Sequence, residues 1–342
     1  MIKSFFLLLL GMAALSAPAE DLFVNFKTGN DANPGTRALP VKTIREAARR
    51  TNMTSAASTT IILAEGVHLL TETVLFNNPK YTAENRLLIR AEIMPDDPAW
   101  TPQRMPMLVT VVPTIANGAG EEARGLEIEV SHVTIEGLRF TGSPDYYYID
   151  GKQNRRSYPI WRDGKDLDDL LVTQCLFAGN HDVLPLRVAV IANGHGLVID
   201  HCVFFNCENP VVFWEAEGGV SRHNAMRYCL VYGSNYSGVW TTKSTGQDFE
   251  FHHNIVANGR AAWINENPPA ERHFKVHDCI FTGNTLFTAN GSNTAIAAGF
   301  LDTENVRTAG TVELEKDQGR NNYLQLKEGS FGTDLTAGLF KK

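Results

Sequence analysis

LLVTQCLF (170–177), LVIDHCVF (197–204), AMRYCLVY (225–232), FEFHHNIV (249–256) and FKVHDCIF (274–281) are five copies of one short phrase. They pivot on Cys175, Cys202, Cys229, Asn254 and Cys279, at spacings of 27, 27, 25 and 25 residues. A weaker copy, HVTIEGLRF (132–140), carries Leu138 at the pivot. Self-similarity at a fixed period of this size marks a solenoid. Within each phrase apolar residues lie two apart (Leu197 and Ile199, Phe249 and Phe251, Phe274 and Val276), which is strand alternation. No amphipathic helix fits between the phrases, which excludes leucine-rich and helical repeats. At ~3.3 Å per strand residue, one period makes a coil of three short strands. The fold class is all-β, a parallel β-helix.

Composition agrees. Hydrophobic residues make up 43% of the chain and glycine numbers 28, a turn-rich globular balance. The length suits a solenoid, which grows by adding coils, better than a single compact core. A net charge of −7 and the lack of any basic run exclude nucleic acid as the expected partner. Lys3, the apolar run FFLLLLGMAALSA and Ala17-Pro18-Ala19 read as a cleaved secretory signal over 1–19. The mature protein is therefore expected to be secreted or periplasmic, monomeric, and without a membrane partner once the signal is removed. Neighbouring pivot cysteines aim their Cβ atoms the same way along parallel strands, so buried thiols are expected in place of disulfides.

Near the start, TGNDANPGT (28–36) is followed by a short helix expected over Pro40–Arg50. This opening resembles that of secreted right-handed parallel β-helix proteins of the pectate-lyase-like superfamily, where the helix plugs the first coil. TTIILAEGVHLLTETVLF (59–76) and NRLLIRAE (85–92) resemble the first two coils, and NNYLQLKEGSFGT (321–333) the closing segment. The resemblance implies an N-terminal strand and capping helix over 20–58 and a β-helix over 59–342. It implies the fold more strongly than the activity, since the superfamily holds lyases, hydrolases, epimerases and non-enzymes. It also implies that substrate lies across the strand that opens each coil.

Those strands are expected within YYYIDGK (146–152), LPLRVAVIANG (184–194), PVVFWEAEG (210–218), SGVWTTKSTG (237–246) and RAAWINENP (260–268). Trp214, Trp240 and Trp263 fall at nearly equivalent places and, facing outward, would stack on successive sugar rings. Asp150, Arg187, Glu215, Lys243 and Glu266 supply one ionisable group per coil. Elimination on a uronic acid needs a cation at the sugar carboxylate, a base for the C5 proton and an acid for the leaving oxygen. Arg187 or Arg222 suits the first task. Lys243 is the leading base candidate, followed by Arg260 and His253, on the expectation that a nearby cation and desolvation lower its pKa. Calcium is the alternative neutraliser, with Glu215 and Glu217 as oxygen ligands. Hydrolysis would instead need two flanking carboxylates, such as Asp150 and Glu215.

The coil from Leu138 to Cys175 is 37 residues long, and its extra residues (153–165) read as a loop carrying Arg155, Arg156, Tyr158, Trp161 and Arg162 toward a glycan. The histidines before the pivots, His201 and His253, read as exterior polar residues, with no motif of a metal centre. The sequence thus points to a carbohydrate-active β-helix. A lyase acting on a uronic-acid glycan is favoured over a glycoside hydrolase or a non-catalytic glycan binder.

Overall fold

Each phrase divides at its pivot into two strands that lie on different faces of the coil. The first halves, including Leu170–Thr173, Leu197–Asp200, Ala225–Arg227 and Glu250–His252, stack in parallel as a back sheet that runs from Glu20–Val24 to Leu301–Arg307. The second halves, including Leu176–Ala178, Val203–Phe205, Leu230–Tyr232 and Ile255–Ala257, stack as a side sheet. Phe274–Thr282 runs through the corner and pairs with both. The strands between phrases form a front sheet, among them Arg156–Arg162, Val188–Ala192, Asn209–Phe213, Ser237–Thr241 and Ala261–Asn265. The computed structural model describes residues 19–112, 115–117, 120–144, 156–215, 219–266, 273–288 and 301–342. The signal read over 1–19, apart from Ala19, lies outside them. So do Asp150, Arg155 and Glu217. Among the described residues no helix is long and apolar enough to cross a membrane.

A single left-handed residue turns the back sheet into the side sheet. Gln174, His201, Tyr228, His253 and Asp278, each just before a pivot, have φ between 46° and 54°, a conformation that costs most side chains energy and is paid at every coil. That bend throws the pivot inward. Cys175, Cys202, Cys229, Asn254 and Cys279 are all fully buried, and none of the cysteines forms a disulfide. Asn254 shows what the column needs: its Oδ1 accepts from the Cys229 amide at 2.8 Å and its Nδ2 donates to the Met226 carbonyl at 2.7 Å. The thiols donate more weakly, each to the carbonyl two residues back. Burial pushes the Cys279 thiol up to about 12, so it is inert as a nucleophile.

The helix Ile44–Met53 packs against Glu20–Val24, Thr59–Leu63 and Val74–Phe76, the first strands of the back and front sheets, and buries Ile44, Ala47, Ala48 and Thr51. Thr43 caps it by accepting from the Glu46 amide at 3.1 Å. Glu46 in turn accepts from Arg49 and Arg50 at 2.7 Å, and the Arg49 guanidinium chiefly pulls its carboxyl down to about 2. The unfolded chain, with an ordinary carboxyl near 4.5, binds this proton first, so the stabilisation is complete above pH 4.5 and is lost as pH falls toward 2. Arg49 is about half exposed, and after allowance for solvent screening the effect is about 1 kcal/mol. Urea midpoints measured from pH 6 to pH 2.5 should fall less steeply for Glu46→Gln than for the parent. Parallel curves would disprove the assignment.

At the other end, Val312, Leu314, Tyr323, Leu324, Leu335 and Leu339 lie over the outer face of the side sheet, against Leu176, Val203, Leu230, Ile255 and Ile280. The side sheet is thereby covered, which leaves the front and back faces for recognition.

Candidate functional site on the front sheet

Alternation along the front strands is interrupted once, and that break decides which groups face out. Ala189 and Val190 both join the core, as do Ala262 and Trp263. The next residue out is then Ile191 on one strand and Ile264 on the other. One outward row results: Trp161, Ile191, Val212, Trp240 and Ile264 are register partners across five strands. Trp263 pairs in register with Val239, not with Trp240, and is fully buried, its Nε1 donating to Thr241 Oγ1 at 2.9 Å. The expected three-tryptophan platform is therefore wrong at Trp263. Ala262 and Trp263 face inward together, so period-two counting assigns Trp263 to the wrong side. Trp214, just past the end of Asn209–Phe213, is 39% exposed, and Trp240 is half-buried.

The segment read as a glycan-binding loop is largely a strand. Arg156–Arg162 pairs with Gly120–Ile128 and Val188–Ala192. Tyr158 and Trp161 are buried against each other with ring centroids 5.1 Å apart, and the Arg124 guanidinium lies 4.1 Å over the Trp161 ring. Arg162 is buried, donating from Nε to the Asn193 carbonyl at 2.8 Å and from Nη2 to the His195 carbonyl at 2.9 Å. Burial pushes its guanidinium down to about 10, which still leaves it charged at neutral pH. Arg162 thus supports the face from beneath, while Tyr158 and Trp161 lie on its outer side, Trp161 under Arg124, with little surface left for a ligand.

The ionisable set also divides. Arg187 precedes its strand, whereas Glu215, Lys243 and Glu266 follow theirs, so they lie at opposite edges of the sheet. Arg187 pairs with Glu208 at 3.2 Å, both well buried. Lys243, one coil beyond Glu215, forms an ion pair with it while remaining two-thirds exposed. The Glu215 carboxylate, with a smaller contribution from Glu266, raises the Lys243 ammonium above its ordinary value. This overturns the expectation of a lysine poised as a base: its neighbour is an anion, not a cation. The same pair engages Glu215, the described half of the expected calcium ligands. His253 lies at the corner of back and side sheets, away from this face.

The accessible groups converge on the last front strands. Tyr236 and Trp240 lie with ring centroids 5.8 Å apart, the exposed Arg260 places its guanidinium 5.2 Å from the Tyr236 ring, and Trp240 Nε1 donates to Glu266 at 2.9 Å. Lys243, Glu215 and Trp214 border the opposite edge, past the ends of their strands. The surface combines aromatic faces, cations and a phenol. Tyr236 escaped sequence reasoning because it sits one residue ahead of its strand. Counting one coil from Glu208 would have found it, since both immediately precede register-matched strands.

A second concavity, about 620 Å³, lies on the back sheet over Leu88, Leu171 and Val198. Its ions are engaged with one another, Asp169 taking both Arg86 and His132, so it offers less chemistry.

No family model and no curated protein matches the chain. Among solved structures, a rhamnogalacturonan lyase aligns over 80% of this chain and 71% of its own, at 12% identity and a TM-score of 0.54. The chain has the parallel β-helix fold. Other solved structures align with it at lower scores. The pectate lyase Pel9A covers 93% of this chain and 91% of its own at 10% identity and a TM-score of 0.49. A pectin methylesterase from Aspergillus niger covers 94% and 95% at 13% identity and a TM-score of 0.44. The expectation of this fold from the opening and closing segments is borne out, and its right-handed coil with it.

Proposed function

We propose that the chain is an exported carbohydrate-active protein that binds an acidic polysaccharide on the front face and cleaves it by β-elimination. The observation that carries this reading is the exposed Arg260 guanidinium stacked on Tyr236 beside Trp240. A sugar ring can lie on the aromatic faces while its carboxylate meets the cation. The C5 hydrogen, next to that carboxylate, then lies near the Tyr236 phenol. In the reaction C5–H breaks, its electrons form the C4–C5 double bond, and the C4–O bond breaks toward the leaving sugar. Tyr236, as the phenolate, takes the C5 proton and, once protonated, returns it to the leaving C4 oxygen of the same sugar. Lys243, kept protonated by Glu215 at the opposite edge of the sheet, holds the carboxylate of a neighbouring sugar. Arg187, paired with the more deeply buried Glu208, neutralises that carboxylate beneath the site.

Glycan binding without turnover is the second reading. It is favoured by the engagement of the front carboxylates, Glu208 with Arg187, Glu215 with Lys243 and Glu266 with Trp240. That engagement also disfavours hydrolysis, which needs two carboxylates at the bond. A panel of uronate and neutral polysaccharides separates these readings. Ultraviolet absorbance from unsaturated ends on a uronate polymer is the expected result. Reducing ends without that absorbance would replace elimination by hydrolysis, and retention without products would leave a binder.

A further inference from the structure

Far from the front sheet, at the corner where the back sheet turns into the side sheet, three potential ligands from two neighbouring coils converge. His253 belongs to one coil, and His277 and Asp278 to the next; one ligand atom from each lies within 4.8 Å of the others. The repeat geometry makes the cluster. His252 is the register partner of His277, so one coil later the pair His252–His253 is replaced by His277–Asp278 in the same two columns. Two histidines and an aspartate thus occupy adjacent steps of a ladder whose spacing, ~4.8 Å, is the distance between parallel strands.

We propose that His253, His277 and Asp278 form a binding site for a borderline divalent metal ion, zinc in the first instance. Two imidazoles and one carboxylate are the donors such an ion takes, in a set that leaves a further position open. The surrounding contacts are those that steady ligands in metal sites, where outer partners fix ring and carboxylate orientation. Asn305, from the next coil, donates through Nδ2 to Asp278 Oδ1. His253 Nδ1 lies 3.0 Å from Nδ1 of His252, outside the set, whereas the 2.8 Å contact of His277 Nδ1 with Asp278 Oδ2 joins two of the ligands themselves. The His252 and His277 rings stack at 4.8 Å with planes 11° apart. His277 and Asp278 keep 43% and 33% of their side-chain surface exposed. His252 and His277 also border an open concavity of about 480 Å³, through which an ion can enter. The bound ion would join two coils and, through Asn305, a third, close to the C-terminal end of the stack. No part of the front site contributes, so the inference stands independently of the proposed activity.

The test uses untagged, full-length mature protein stripped with EDTA and titrated calorimetrically with zinc chloride. One equivalent per chain is expected, and cobalt(II) should give visible d–d absorption at the same stoichiometry. His253→Asn, His277→Gln and Asp278→Asn should each weaken zinc binding at least ~10-fold, and Asn305→Ala by ~10-fold, the size of outer-partner effects. Asn suits the left-handed backbone at 253 and 278, so these variants should unfold in EDTA at the temperature of the parent. His223→Gln, at an exposed histidine on another coil, should bind as the parent does. Absence of saturable uptake overturns the site. So does one-to-one uptake that survives the double variant His253→Asn, His277→Gln.

Discussion

Phe177→Ala should lower the stability of the coil by about 3–5 kcal/mol, the range for deleting a fully buried aromatic ring. Phe177 is stacked between Phe140 and Phe204, with ring centroids 4.9 and 4.8 Å away and planes within 9° and 6°. The parallel register places these three rings on top of one another in consecutive coils, at the spacing of the strands themselves. Neighbouring coils cannot collapse into the gap without breaking the ladders on both sides, so the cavity persists. Phe177→Leu, which keeps most of the volume, should cost under about 1.5 kcal/mol. Phe205→Ala, on the half-buried outer side, should fall between the two. Urea unfolding with unchanged slopes reads all three. A loss below about 1 kcal/mol for Phe177→Ala would mean that the coil repacks, contrary to the rigidity argued from its register.

The coil was legible because the same phrase returned at a fixed period, and a period of that size with two-residue alternation leaves few architectures. The pivot column was readable too, since Cys and Asn share only a small inward space and a capacity to donate to nearby carbonyls. What escaped did so for local reasons. Trp263 was misassigned because strand alternation assumes no interruption, and two consecutive residues turn inward in the front strands. Arg156–Arg162 looked like a loop because its coil is longer and the expected strand was sought earlier, at 146–152. The ion pair of Lys243 with Glu215 was within reach of the sequence: the two follow register-matched strands by the same number of residues. Motif reading overlooked it, as it overlooked the grouping of His253 with His277 and Asp278, because metal and catalytic motifs assume neighbours along one chain segment. In a solenoid the neighbours lie one period apart. Counting by the period is the correct search.

Tyr236→Phe removes one hydroxyl from the front face and should lower kcat for elimination by about 10²–10⁴-fold, the contribution of a positioned proton-transfer group. By transition-state arithmetic that is about 3–5.5 kcal/mol. The phenyl ring keeps its contacts with Trp240 and Arg260, so KM should change little. Arg260→Ala should act differently, raising KM and lowering kcat/KM, since the cation holds the carboxylate in the ground state as well as in the transition state. Lys243→Ala should raise KM and leave kcat nearly unchanged, because its assigned task is to hold a neighbouring sugar at the far edge of the sheet. Turnover by Tyr236→Phe at the parental rate would remove the phenol from the mechanism, and a uniform loss of folding in all three variants would show a structural role. The pairing of Lys243 with Glu215 supplies a further distinction. Glu215→Gln withdraws the anion that raises the lysine, so any alkaline limit on substrate binding set by Lys243 should shift to lower pH.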